Sequence, residues 1–205
     1  MIVEVDKELR DKWEKVDRAI EFAVKCHAGQ NRKGANQPYI FHPLEVMGIV
    51  ATMTDNEDVL CGAVLHDTVE DTPATVLDIR KEFGDYVARL VFYESEDKHT
   101  DMPPEESWTL RKQEAINTLR EEADIGAKMI CLGDKVSNLR SFNSILLTEG
   151  EKGWEHFHQR DPLKHYWYYS SLLDALSGLE DYPAYKEYSF LMDSIFRKYL
   201  IARED

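Results

Sequence analysis

Apolar residues recur at helical spacing along this chain, and nowhere does the alternation of a half-buried strand replace them. That pattern predicts an all-α fold, a bundle of about eight to ten helices. In the first segment Trp13, Val16, Ile20, Ala23 and Val24 share one face, with Asp6 or Asp11 as the start and Gly29 as the stop. A polar loop from Gln30 to Gln37 leads to a second helix beginning near Pro43, since proline suits a first helical turn. Asn56 or Asp58 caps a third helix running to Val69. Thr72-Pro73 then reads as cap and first-turn proline of the next, with Val76, Ile79 and Phe83 facing inward and Gly84 ending it. A short helix over 85–93 precedes a polar, double-proline loop from Glu94 to Ser107, long enough to suggest a functional role. Further helices are predicted over 108–121, 123–143, 165–179 and 183–199, with a shorter one around Trp154. No repeat at solenoid periods is present. With 205 residues the expectation is one domain, 1–205, whose motifs fall within 19–145 and whose C-terminal helices, 150–200, pack on that core.

The formal net charge of −14 excludes a nucleic-acid backbone or an anionic membrane as the main partner, because either requires a basic face. A small anionic substrate stays compatible, since a metal and a few local cations reverse the field inside one cleft. Cys26, Cys61 and Cys131 are odd in number, lack CxxC spacing and sit in apolar helical stretches, which predicts buried, reduced thiols. The N-terminus is charged throughout and no stretch has the length of a membrane span, so the expected location is cytoplasmic. Oligomeric state is not legible.

Chemistry concentrates in Leu65-His66-Asp67-Thr68-Val69-Glu70-Asp71. On a continuous helix His66 stacks on Glu70 and Asp67 on Asp71, and Asp67 extends an apolar stripe through Leu60 and Val64. Such charge facing a core must be paired or coordinated, and a salt-bridged or solvated helix end is the plainer alternative. His42 stands at a helix entry with its backbone restricted by Pro43. Asp134 lies in an otherwise apolar helix, with Asn138 and Ser141 extending its stripe; a buried hydrogen-bond network would account for that alone.

The order His, His-Asp, Asp resembles the HD superfamily of metal-dependent phosphohydrolases. The segments Ala28–Gly34, Pro38–Val46, Leu65–Thr72, Phe83-Gly84 and Gly133–Arg140 are similar to the hydrolase domain of Rel/SpoT proteins, over roughly the first 145 residues and in the same order. With no room for a synthetase-like domain in 205 residues, the chain looks like the stand-alone small alarmone hydrolases. The resemblance implies a (p)ppGpp 3′-pyrophosphohydrolase with His42, His66, Asp67 and Asp134 as metal ligands. This mixed nitrogen and oxygen set suits Mn²⁺ and does not by itself exclude another divalent transition metal. Glu70 and Asp71 match the catalytic acidic pair, with the choice of base open between them. Arg32, Lys33 and Asn138 match substrate contacts, although Lys33 also suits a solvated surface turn. Lys135 adds positive potential, Arg140 either does so or pairs with surface acids, and Tyr169 of the aromatic run His165–Tyr169 is either a pocket wall or core.

Two departures from the Rel/SpoT pattern stand out: the acidic 94–107 loop, which puts the exact nucleotide in question, and Gly133 in place of a more common alanine, which lets its helix pack closely. The same site would also serve an NADPH 2′-phosphatase or an adenosine-alarmone hydrolase acting as an antitoxin. A non-catalytic nucleotide-binding module is the reading from outside enzymology, and the presence of all four ligand positions with Glu70 and Asp71 weighs against it.

Overall fold

The computed structural model describes residues 7–32, 36–95, 99 and 101–201. Ten α-helices follow one another among them: α1 (Lys7–Cys26), α2 (Phe41–Val50), α3 (Glu57–Leu65), α4 (Thr68–Asp71), α5 (Val76–Phe83), α6 (Asp85–Glu94), α7 (Pro104–Glu121), α8 (Ile125–Glu149), α9 (Pro162–Ala175) and α10 (Pro183–Ile201). A 3-10 segment, Gly150–His156, joins α8 to α9. The β-structure among the described residues is one isolated antiparallel bridge, Asn31 with Pro38. The all-α expectation holds.

α8 is the axis of the bundle, in contact with α2, α3, α6, α10 and the 3-10 segment. It buries Ala127, Ile130, Leu132, Val136 and Leu139 completely, and each large aliphatic among them contributes about 1.5–3 kcal/mol by leaving water. Gly133 sets how closely α2 approaches. A Cβ there would lie 2.9 Å from Val50 Cγ2 and 3.2 Å from the Val46 carbonyl oxygen. Since α2 carries His42 and α8 carries Asp134, this close contact fixes the distance between two predicted ligands.

Several boundaries differ from the sequence-based expectation. The predicted continuous helix through Val69 breaks at His66-Asp67, separating α3 from α4. His66 Nδ1–H donates to the Ala63 carbonyl and Thr68 Oγ1 donates to the Leu65 carbonyl, so side chains take acceptors in the last turn of α3. Thr75, not Thr72, caps α5, in a reciprocal capping box with Asp78, and Gly84 ends it at φ +93°. α7 begins at Pro104 rather than Trp108, which shortens the predicted loop; its residues 96–98 and 100 lie outside the described residues. α8 extends to Glu149, and α9 runs from Pro162 to Ala175 with Asp161 as its cap. On α1, Val16, Ala19 and Ala23 face the core while Val24 is 47% exposed. All three cysteines are free, but only Cys61 and Cys131 are buried; Cys26 is half-buried. No helix among the described residues is long and apolar enough to cross a membrane.

Candidate functional site

Four side chains from α2, the α3–α4 junction and α8 converge. His42 Nε2 lies 3.4 Å from Asp67 Oδ2 and 3.1 Å from Asp134 Oδ1; His66 Nε2 lies 3.0 Å and 3.8 Å from the same oxygens. Donor atoms held about 2.0–2.2 Å from a common ion are separated by about 3.0–3.5 Å along the edges of its coordination shell, and the observed spacings fall at or near that range. Asp67 joins this group from the α3–α4 junction, where His66 and Asp67 keep right-handed helical dihedrals and the Asp71 N–H donates to the Asp67 carbonyl.

The ring nitrogens show which atoms face the centre. Ser137 Oγ donates to Glu45 Oε2 at 2.6 Å, so the hydroxyl is free only to accept, and His42 Nδ1–H donates to it at 2.8 Å. His66 Nδ1–H is used by Ala63. Both Nε2 atoms therefore present lone pairs inward, a tautomer fixed by partners outside the ligand set, as in ligating histidines generally. His66 Nε2 is buried without a hydrogen-bond partner. His42, His66 and Asp134 bring one donor atom each within 4.8 Å of one another, with Asp67 Oδ2 against both imidazoles, a donor set that a divalent cation satisfies.

Electrostatics agree. Burial would raise the Asp67 carboxyl, but His66 and His42 hold it well below the usual range. Burial opposes, and Lys135 with the two histidines outweighs it, at Asp134, which is likewise held low. His66 is pushed the other way: burial lowers its pKa, and the neighbouring carboxylates raise it well above the ordinary value. Protons and a metal ion thus compete for the same donors.

The predicted substrate residues form a chain leading out of this centre. Asn138 Nδ2 donates to Asp134 Oδ1 at 2.6 Å, and Arg32 Nη2 donates to Asn138 Oδ1 at 2.6 Å. Lys135 Nζ donates to Asp134 Oδ2. Arg32, Lys135, Asn138 and Asp71 all border a cleft of about 600 Å³. Trp108, Phe142, Phe157, Tyr168 and Tyr169 also line it. Tyr169 is buried, 4% exposed, and lines the cleft. Glu70 lies half-buried on α4 beside Asp71. Lys33 lies outside the described residues. Arg140 pairs with acids: Nε and Nη2 donate to Glu187, and Nη1 donates to Glu45 at 2.8 Å.

Sequence reasoning misses several residues here. Glu45 and Ser137, each three positions beyond a predicted ligand, steady His42. Arg111 and Lys112 of α7 bring two more cations to the cleft. Glu94, expected in the loop, instead continues the buried face of α6 through Val87, Leu90 and Val91. Burial pushes its carboxyl up to about 7, with Asp134 and Asp67 adding to the effect against Lys135 and His66. A carboxylate on an apolar stripe is the signal that singles out Asp134, and it is present at Glu94 too.

The bundle thus gathers His42, His66-Asp67 and Asp134 from three separate elements beside a cleft lined by Arg32, Arg111, Lys112 and Lys135. A family model described as HD domain matches residues 19–156, and the chain belongs to that family. It is 38% identical over 128 residues to the human guanosine-3′,5′-bis(diphosphate) 3′-pyrophosphohydrolase MESH1, covering 61% of this chain and 68% of that protein. A protein of the same enzyme name from Aquifex aeolicus is 44% identical over 78 residues, which are 38% of this chain. The chain spans only 11% of the Aquifex protein's length and 16% of that of a Streptomyces coelicolor GTP pyrophosphokinase, to which it is 34% identical over 67% of its own length. Among solved structures, a metazoan ortholog of SpoT described as hydrolysing ppGpp superposes with a TM-score of 0.68 at 28% identity, covering 90% of this chain and 95% of that one. The Listeria monocytogenes protein lmo0812 superposes at 0.66 with 33% identity, covering 76% and 99%.

Proposed function

We propose that the chain hydrolyses the 3′-pyrophosphate of (p)ppGpp, releasing GDP or GTP and pyrophosphate, with Mn²⁺ as its ion. The observation that carries this reading is the adjacency of the His42, His66 and Asp134 group, with Asp67 against both imidazoles, to a cleft of about 600 Å³ lined by cations and aromatic rings. Human MESH1 and the metazoan SpoT ortholog, which are named for that activity, support it.

In this reading His42, His66, Asp67 and Asp134 hold the ion. When bound, it supplies Lewis acidity, lowering the pKa of water and polarising a phosphate oxygen. The chain's other residues do the rest. Glu70 and Asp71 orient water and accept its proton. Arg32, Lys33 and Lys135 neutralise phosphate charge, with Asn138 as a neutral donor. Tyr169 and its aromatic neighbours offer faces against which a base stacks. The net charge of −14 keeps nucleic acids and anionic membranes out of the partner list, and three free cysteines suit a cytoplasmic setting.

The test is a panel of ppGpp, pppGpp, ppApp and NADPH incubated with chelator-treated protein and added Mn²⁺, with His66→Ala as control. Pyrophosphate release from ppGpp and pppGpp, absent in the control and without Mn²⁺, is the expected result. Turnover restricted to NADPH or ppApp would replace the substrate, and no turnover of any nucleotide would overturn the enzymatic reading.

A further inference from the structure

Tyr39 stands where the two halves of the site meet. Its hydroxyl lies 2.6 Å from Asp67 Oδ2 and 3.2 Å from Asp71 Oδ2. Asp67 Oδ2 is the same oxygen that faces both histidine Nε2 atoms. One phenol therefore touches an ion ligand and a member of the acidic pair. It has a single hydrogen to give, and the shorter contact assigns that hydrogen to Asp67, leaving the oxygen's lone pairs for Asp71.

The ring has little freedom to leave this position. Its face lies against His27 at 4.9 Å between centroids, its edge relation to His42 is at 5.9 Å, and the Arg32 guanidinium sits 5.9 Å from its centroid. The Tyr39 N–H donates to the Gln30 carbonyl at 2.9 Å. Gln30 in turn accepts from His27 Nδ1–H and donates from Nε2 to the Asp71 carbonyl, both at 2.8 Å. Tyr39 is thus joined to Asp71 through its hydroxyl and also through Gln30.

We propose that Tyr39 is a positioning residue that holds Asp67 toward the ion and makes Asp71, rather than Glu70, the acceptor of the attacking water's proton. The proposal rests on the phosphohydrolase reading of the site. As the water attacks, its O–H bond breaks, the proton forms a bond to Asp71 Oδ2, and the released electron pair forms the new bond to phosphorus. The bond from phosphorus to the leaving oxygen breaks with its pair on that oxygen, which solvent protonates. The new Asp71 O–H then donates to the Tyr39 hydroxyl oxygen, whose own hydrogen stays on Asp67. Asp71, and not Glu70, lines the cleft.

Tyr39→Phe tests this, made in the parent, in Asp71→Asn and in Glu70→Gln. Mn²⁺ affinity of chelator-treated protein is read by calorimetry, and kcat and KM on ppGpp at saturating Mn²⁺, with thermal melting to verify folding. The expected result is a loss of about tenfold or more in Mn²⁺ affinity, the usual scale for a partner of a metal ligand. In the parent and in Glu70→Gln, kcat falls by a similar factor with KM unchanged; in Asp71→Asn the further loss disappears. Parent-like Mn²⁺ affinity overturns the proposal, and so does an undiminished kcat loss in Asp71→Asn. If ppGpp is not a substrate, the affinity measurement decides on its own, so failure of the functional reading is told apart from failure of this one.

Discussion

Ser137→Ala removes one hydroxyl and two hydrogen bonds, the one accepted from His42 at 2.8 Å and the one donated to Glu45 at 2.6 Å. Glu45 loses little, because its side chain is 38% exposed and Arg140 still donates to its other oxygen. The loss falls on His42, which is 4% exposed. A buried N–H without an acceptor costs about 1–3 kcal/mol, and Ser137 borders a second cleft, so a water in place of the hydroxyl marks the lower end. The imidazole can otherwise move its proton to Nε2, the atom facing Asp67 and Asp134, and then has no lone pair for an ion. Either route weakens ion binding by about 10–100-fold, equivalent to about 1.4–2.7 kcal/mol. The assay is calorimetric titration of chelator-treated protein with Mn²⁺, paired with melting in its presence and absence. At an ion concentration of about 100 times the parent Kd the parent gains about 2.7 kcal/mol, and a variant binding tenfold more weakly gains about 1.4. For a chain of this size that makes the ion-induced rise in Tm about 3–5 °C smaller. A variant with parent affinity and a parent-sized rise in Tm would refute the tautomer reasoning, whatever the nucleotide substrate proves to be.

Glu94→Gln should alter the pH dependence of stability in ion-free protein. A carboxyl pushed up to about 7 from an ordinary 4.5 binds its proton more tightly when folded. Its contribution is therefore complete below pH 4.5 and lost as pH rises through 7, a swing of at most about 3 kcal/mol. Between pH 5 and pH 8 the parent should lose more Tm than the glutamine variant, and parallel profiles would contradict the assignment. Gly133→Val should lower Tm, since its added atoms meet Val50 and the Val46 carbonyl, with overpacking of this kind costing about 1–3 kcal/mol; an unchanged melt would show that α2 yields freely. Asn138→Leu removes the bonds to Asp134 and Arg32 and should raise KM for ppGpp by about tenfold or more through a charge-assisted contact. An unchanged KM in steady-state kinetics would remove Asn138 from the substrate contacts.

The helix inventory is legible in the sequence through apolar spacing, while the grouping of His42, His66, Asp67 and Asp134 comes from the resemblance to HD phosphohydrolases. Apolar spacing at three and four residues reports which face is buried, and a carboxylate or imidazole on that face needs an explanation. Asp134 stands out in this way, and the spacing of Val87, Leu90 and Val91 reaches Glu94 once α6 is carried one residue past Tyr93. Helix ends are harder to read, because competing side-chain bonds set them. Thr75 and Asp78 cap each other and so displace the start of α5 past Thr72-Pro73, while His66 and Thr68 occupy carbonyls and so break the predicted helix.

That break has a consequence for the chemistry. A continuous helix would place His66 with Glu70 and Asp67 with Asp71 on two parallel stripes. At the junction His66 and Asp67, adjacent in sequence, bring Nε2 and Oδ2 within 3.0 Å of each other. Consecutive residues on a regular helix point about 100° apart, so this pair can serve one centre only where the helix is interrupted or its side chains bend back. Tyr39 then spans from that junction to Asp71 on α4. Its contacts come from a loop far away in sequence, which no spacing rule connects to α4, and for that reason the order His, His-Asp, Asp is legible from the sequence while the tyrosine that touches both Asp67 and Asp71 is not.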